Sequence, residues 1–428
     1  MQMLARTLSV FAALGSVASY TISDAATAAT DFYKGKRLNL IVGYPAGGGY
    51  DTYSRLLGKH MTNHIPGNPR IIVKNMGGAG SLKAASYIAT VAPKDGTVFG
   101  TFSRALALSK RLGTVKMDFD PFELTYLGSL SSFKNDAYMI LVGAQSRYKT
   151  VKDLQDQGLP PANFAASAPG STSYDVPFLL NSVLGLRIKI IAGYPGSRAG
   201  GLAVDRQEVD GVASALSSVS ATQPEWIKNK KVRFLVQVGR IVRHPDFPDV
   251  PMARELAPND EALALIKLQE APLFMARPYA APGGLPADRA KILQTAFMAT
   301  AKDPKFVDAG NRLKIDVSPI DGDEVQALLR DLSKIPPAVF AKYKAIMESR
   351  PTLAMVKHTG KITATEDGGR SISIDYKGKN VTAKVSGSRT KITVGGKAAK
   401  RKSVKVGMTC TFTYLRAGAE AKSVDCKG

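Results

Sequence analysis

The apolar residues of this chain fall into short continuous runs, with glycine-rich loops separating them from stretches of helical spacing. Leu38–Val42 is the first run; it ends in Gly-Tyr-Pro-Ala-Gly-Gly-Gly, after which Tyr53, Leu56, Leu57 and Met61 share one helical face. Ile71–Val73 begins the pattern again, Gly77-Gly78-Ala79-Gly80 opens the helical segment Ser81–Ala92, and Val98–Phe102 follows the turn Lys94-Asp95-Gly96. Further strands are expected at Tyr138–Val142, Asn163–Ala166, Ile188–Ile191, Gly211–Ala213, Val232–Val236 and Leu273–Ala276. Helices are expected near Val176–Leu184, Ala199–Arg206 and Ala287–Ala301. Strand, glycine loop and helix in recurring order predict a parallel α/β body with its loops gathered at the strand C-terminal ends.

After Arg350 the period changes. Gly360–Ala364, Ser371–Tyr376, Val381–Val385, Lys391–Val394, Thr409–Tyr414 and Ser423–Cys426 are short alternating runs between Gly, Asn and Asp turns. They predict a small all-β domain over 351–428, a five- or six-stranded barrel.

The beginning of the chain reads as an address. Met1–Arg6 is a short cationic stretch, Leu8–Tyr20 an apolar and small-residue stretch, and Ala26-Thr27-Ala28 a small-x-small cleavage site. Residues 1–28 are thus expected to be a cleavable secretory signal, its apolar run shorter than the roughly 18 residues a membrane span needs. The mature protein would begin near Ala29 in an oxidising compartment, where Cys410 and Cys426 become candidate disulfide partners.

Composition narrows the function classes. A length of 428 residues suits two or three domains, and 44% hydrophobic with 22% charged residues permits a large core and excludes global disorder. Two Cys and four His exclude a disulfide-stapled miniprotein and a Cys-rich metal protein, and leave little for His-dependent chemistry. The net charge is +23, but residues from Pro351 onward carry 16 Lys/Arg against 5 Asp/Glu, so nearly half the excess sits in the small β-domain. Those lysines suit an anionic polymer, or simply block edge-to-edge strand pairing. Tyr376, Phe412 and Tyr414 are the main aromatics there, too few for a base-stacking platform, and the export signal also argues against nucleic acid.

Motifs for catalysis are absent from the chain: there is no Gly-x-Ser-x-Gly, no Walker loop and no His-Glu-x-x-His. His60 and His64 are four apart without an acidic partner in that helix, which suits surface or packed histidines better than a metal site. The glycines of 43–49 do not follow dinucleotide spacing, and Ile72-Val73-Lys74 places lysine where such a site needs an acid. No catalytic residue, metal or cofactor is expected.

Glycine loops at helix starts have another use, because free N–H groups and the helix dipole attract anions. Gly47-Gly48-Gly49 lets a carboxylate approach the backbone, and Ala168-Pro169-Gly170-Ser171-Thr172-Ser173 adds hydroxyl donors in the second half of the chain. Two such loops would clamp a ligand between two lobes, although either alone is also a plain helix start. Asp51 and Asp175 suit the roles of N-cap or first-turn acids.

At this point the chain resembles the Bug/TctC family of periplasmic solute-binding proteins that serve tripartite tricarboxylate transporters. The resemblance runs through Phe32-Tyr33 to Arg37, Leu38-Asn39-Leu40-Ile41-Val42 and Pro45-Ala46-Gly47-Gly48-Gly49-Tyr50-Asp51. It continues in Val73-Lys74-Asn75-Met76-Gly77-Gly78-Ala79-Gly80, Ala92-Pro93-Lys94-Asp95-Gly96, Pro245-Asp246-Phe247-Pro248-Asp249-Val250-Pro251 and Ala281-Pro282-Gly283-Gly284-Leu285-Pro286. It spans residues 32–345 and leaves the C-terminal domain outside. Met76-Gly77 stands where the family usually has Arg-Pro, and Arg104 adds a basic side chain after the third strand.

The resemblance implies a two-lobed type II periplasmic binding protein fold: lobe 1 over 29–133, lobe 2 over 134–240, and a return to lobe 1 over 241–350. The crossings would lie near Ser132–Ala137 and Val238–Pro251. It implies a monomeric receptor that captures a small di- or tricarboxylic acid and delivers it to the membrane subunits of a transporter. Carried onto matching positions, ligand contacts fall on Ala46, Gly47, Gly48, Ser103, Ser167, Gly170, Ser171, Thr172, Tyr194 and Asp210. The alternative is an exported envelope protein that binds polyanions through its basic β-domain.

Overall fold

The computed structural model describes residues 31–133, 135–351, 355–387, 390–415 and 417–427. The signal sequence expected over 1–28 lies outside the described residues. In the body the strands are β1 (Arg37–Val42), β2 (Arg70–Asn75), β3 (Val98–Thr101), β4 (Thr125–Ser129), β5 (Tyr138–Gly143) and β6 (Ala162–Ala165). There follow β7 (Ile188–Ile191), β8 (Gly211–Ala215), β9 (Val232–Val238), β10 (Pro278–Ala281) and β11 (Ile320–Asp321). They form two sheets, ordered β11-β4-β10-β3-β1-β2 and β7-β6-β8-β5-β9.

Neither sheet is wholly parallel. β1 pairs parallel with β2 and β3, but β10 lies antiparallel between β3 and β4. In the second sheet β6 runs parallel to β7 and β8, whereas β5 is antiparallel to both β8 and β9. β5 and β10 each follow a passage between sheets, after Ser129 and after Val238, where no βαβ crossover sets the direction, and the two-residue β11 is antiparallel to β4 at the sheet edge. The strand expected at Leu273–Ala276 is instead a 3-10 turn, Ala271–Met275, continuing the helix Asp260–Glu270. It stops at Ala276, whose φ of 30° breaks the regular backbone, so extended structure begins only at Pro278. Leu273, Met275 and Ala276 of that run are buried, and the periodicity of a short buried apolar run does not separate strand from helix.

Apolar alternation places the core. Leu38, Leu40 and Val42 of β1 pack with Tyr53, Leu57, Phe99, Tyr279 and Phe297 against the outer helices of the first lobe. Met139, Leu141, Val212 and Trp226 do the same in the second lobe. A large cluster containing Phe102, Tyr138, Ile140, Phe164, Leu180 and Leu265 runs through both lobes.

The C-terminal domain is all β. Its strands are β12 (Val356–Glu366), β13 (Ser371–Tyr376), β14 (Lys379–Lys384), β15 (Lys391–Val394), β16 (Lys397–Ala398), β17 (Thr409–Tyr414) and β18 (Ser423–Cys426), in the order β14-β13-β12-β17-β18-β15-β16. The sheet curls back on itself: the amide of Lys384 in β14 donates to Ala419 O at 3.0 Å, and that of Ala421 donates to Lys384 O at 2.8 Å. Ile362, Ile374, Phe412, Tyr414 and Val424 fill the interior, so two of its three candidate stacking aromatics are core. Cys410 and Cys426 oppose each other across β17 and β18 and are joined as a disulfide.

Candidate functional site

A cavity of about 270 Å³ lies between the two sheets. Three helix starts converge on it: Gly49–His60 from the first lobe, and Thr172–Leu184 and Ser197–Asp205 from the second, with residues from the first turn of each in the lining. No side chain caps any of the three among the described residues, so their leading amides and dipoles act on whatever fills the cavity.

The glycine loops owe their shape to aspartates in the next turn. Gly47, with φ 84°, donates its amide to Asp51 Oδ2 at 2.8 Å, and Gly170, with φ 83°, donates to Asp175 Oδ1 at 3.1 Å. Asp51 is held in turn by Arg55 Nε and Asn75 Nδ2, both at 2.8 Å. The same device therefore serves both lobes, and it consumes the amides of Gly47 and Gly170 rather than offering them to a ligand. Asp175 also accepts from Arg350 Nη1 at 2.7 Å. Burial pushes its carboxyl up to about 6, with the Arg350 charge pulling the other way.

Of the residues expected at the site, the structure gathers Ala46, Gly48, Ser167, Thr172 and Tyr194 in the cavity lining. Gly47, Ser103, Gly170, Ser171 and Asp210 are outside it. Ser103 Oγ donates to Gly170 O at 3.4 Å, which ties the two lobes behind the cavity. Ser171 Oγ donates to Ala168 O at 2.6 Å within its own loop. Asp210 accepts from the Asn163 amide at 2.8 Å and from Ser146 Oγ, a turn-bracing role away from the cleft. His64 bonds Asp303 at 3.0 Å and His60 meets Phe306 edge-on, both outside the cavity lining.

The lining also holds residues that spacing alone did not single out. Arg104 is only 4% exposed; its Nε donates to Tyr50 Oη at 3.3 Å, and its guanidinium lies 5.1 Å from the centre of the Phe133 ring. Its Nη1 is buried with no hydrogen-bond partner among the described residues. A buried guanidinium with an unused donor is a group that an anion can satisfy. Arg198 follows the third helix start and packs over Gly47, where a Cβ would stand 3.0 Å from its Nη1. Lys384, from the C-terminal domain, completes a basic lining in which no carboxylate takes part. Tyr44 adds a phenol that burial pushes upward and keeps protonated at neutral pH, whereas the Tyr138 hydroxyl donates to Ala213 O at 2.9 Å. The signal for Arg198 was present in Tyr194-Pro195-Gly196-Ser197-Arg198, a further glycine-led helix start.

Known proteins share this fold. The periplasmic binding protein BugD aligns with a TM-score of 0.59 at 19% identity over 73% of this chain and 98% of that one. Rpa4515 of R. palustris, solved with adipate, gives 0.57 at 19% identity over 73% and 96%, and MatC of Rhodopseudomonas palustris, solved with bound malate, 0.54 at 22% over 73% and 99%. At these identities the likeness is one of fold, and it establishes the two-lobed periplasmic binding architecture. A Cupriavidus necator protein described as "UPF0065 protein in gbd 5'region" is 27% identical over 237 residues, 54% of this chain and 67% of its own length. Residues 55–345, well over half of the chain, match the model of the tripartite tricarboxylate transporter family receptors. The chain is therefore a member of the TctC family of tripartite tricarboxylate transporter receptors.

Proposed function

We propose that this protein is an exported, non-enzymatic receptor that captures a small di- or tricarboxylate between its lobes and delivers it to the membrane subunits of a tripartite transporter. The observation that carries this reading is the lining itself: three uncapped helix starts and three basic side chains, with no carboxylate among them. Such a surface repels cations and offers a neutral ligand hydrogen bonds alone, whereas a carboxylate adds charge attraction and satisfies the buried Arg104 Nη1. The relatives solved with adipate and malate support a diacid in particular.

Residues 29–133 and 241–350 form the first lobe in this reading and 134–240 the second, with ligand bridging them and favouring the closed arrangement. No helix among the described residues is long and apolar enough to cross a membrane, which suits a receptor that works beside its transporter. Thermal unfolding against short mono-, di- and tricarboxylates tests the proposal. A ligand at about 100 times its Kd adds roughly 2.7 kcal/mol, and a chain of this size should gain several degrees in midpoint. No shift with any member of the panel would overturn the carboxylate reading.

A further inference from the structure

The cavity has a third contributor. Among the described residues, Lys384 is the one lining residue that comes from the C-terminal domain; the rest belong to the two lobes. It closes β14, where residue pairing holds it against Ser371 on one side and bonds to Ala419 and Ala421 hold it on the other. The backbone of Lys384 is thus fixed on both edges, while its side chain is exposed at the opening.

The tether of this domain starts at the ligand loops. Helix Pro337–Glu348 packs on Thr172–Leu184, whose first turn lines the cavity, and Tyr343 Oη donates to Gln269 Oε1 at 2.5 Å. Arg350 is almost fully buried; it donates to Met347 O at 2.5 Å and to Asp175 Oδ1 at 2.7 Å. The same Asp175 shapes the Gly170 loop. The chain therefore leaves the lobes pinned beside the cleft, and Lys384 of the β-domain lines that cleft.

Resting on the carboxylate-receptor reading, we propose that the C-terminal β-domain is a third wall of the binding cleft and that Lys384 selects ligands with a second anionic group. One carboxylate takes the buried donors around Arg104, and the other faces Lys384 at the mouth. An ammonium there adds attraction for the outer charge, while a monocarboxylate leaves it in solvent. The basic character of the domain then has a use at this one position, without requiring a polymeric partner.

The test is titration calorimetry of the full-length protein and its Lys384→Ala, Lys384→Glu and Lys384→Arg variants with adipate, malate and the monoacid hexanoate. Lys384→Ala should weaken adipate and malate about 3- to 10-fold, Lys384→Glu more, and Lys384→Arg little, with hexanoate unchanged throughout. Raising the salt concentration should shrink the difference between wild type and Lys384→Ala. Equal changes for diacid and monoacid, or none for either, overturn the third wall and leave the receptor reading standing. Failure of the wild type to bind any of the three overturns both. Because the side chain is exposed, unchanged urea unfolding of the variants confirms that affinity and not folding has been altered.

Discussion

The carboxylate of Asp136 and the guanidinium of Arg277 lie 3.6 Å apart, both wholly buried, at the two points where the chain passes between the sheets. Arg277 precedes β10 of the first sheet, yet its Nη2 donates to Ser217 and Ser218 in the second lobe at 2.7 and 2.9 Å. Its Nη1 donates to Ser131 at 3.0 Å in the outward passage. Asp136 accepts from the Ser217 amide at 3.0 Å, and Arg240 of the return passage donates to Asp136 O at 2.9 Å. The junction between the lobes is thus a polar network within apolar core, in which both terminal nitrogens of Arg277 are bonded and its buried Nε has no partner among the described residues.

Removing one partner should be costly. Arg277→Met leaves a buried carboxylate uncompensated, and the expected loss is about 3–5 kcal/mol in urea unfolding. Adding Asp136→Asn should restore part of it, so that the double variant loses less than the sum of the single ones. Additive losses would show that the pair does not act as a unit.

Arg104 should behave in the opposite way. Its buried Nη1 has no partner, so Arg104→Met is expected to change unfolding stability by less than about 1 kcal/mol. Diacid affinity should nevertheless fall about 10- to 100-fold, the worth of one hydrogen bond to a charged group. Calorimetry and urea titration on the same variant separate the two effects.

Gly49 meets Ser218 across the cleft, and a Cβ there would overlap the Ser218 hydroxyl. Gly49→Ala should hold the lobes apart and weaken diacid binding by about 10-fold, near the lower end of what overpacking costs. Ser218→Ala in the same chain should recover part of the affinity.

Asp316 supplies a pH dependence. Burial, with the neighbouring Asp136 charge, pushes its carboxyl up to about 6 from 3.8, so the folded protein holds a proton that the unfolded chain releases. The native state binds more protons across that interval, so this group's contribution to stability falls as pH rises from about 4 to 6. Asp316→Asn should flatten the decline by about 2 kcal/mol between those limits, read from urea midpoints at each pH. An unchanged slope would place the titration elsewhere.

Reduction of Cys410–Cys426 opens a short loop within the β-domain, and about 3 kcal/mol of stability should go with it. If the domain is the third wall, a Cys410→Ser/Cys426→Ser chain measured above that domain's unfolding midpoint should lose the diacid preference that Lys384→Ala loses.

Much of this molecule is local in origin and was legible along the chain. Continuous apolar runs marked most strands because a doubly covered strand needs apolar residues on both faces, as Leu40, Ile41 and Val42 show. The glycine loops announced two of the three helix starts, and the change of period at Arg350 announced the β-domain. β4 and β11 escaped notice, since Thr125–Ser129 holds two small residues in five and Ile320–Asp321 is two residues long.

What only the tertiary structure decided is who meets whom across long separations. Whether Gly47 and Gly170 offer their amides or spend them depends on the reach of Asp51 and Asp175, and whether Ser103 faces ligand or Gly170 depends on how the lobes meet. Along the chain Arg104 fits a cleft residue or a surface cation equally; burial beside Tyr50 and Phe133 places it in the cavity lining. Nothing in the alternation of β14 separates Lys384 from the other lysines of that domain, because its place in the cavity lining depends on how the domain lies against the lobes. Periodicity records which face of an element is dry, a property of near neighbours; a cleft is made of contacts between elements far apart in the chain, whose register and approach are set by packing.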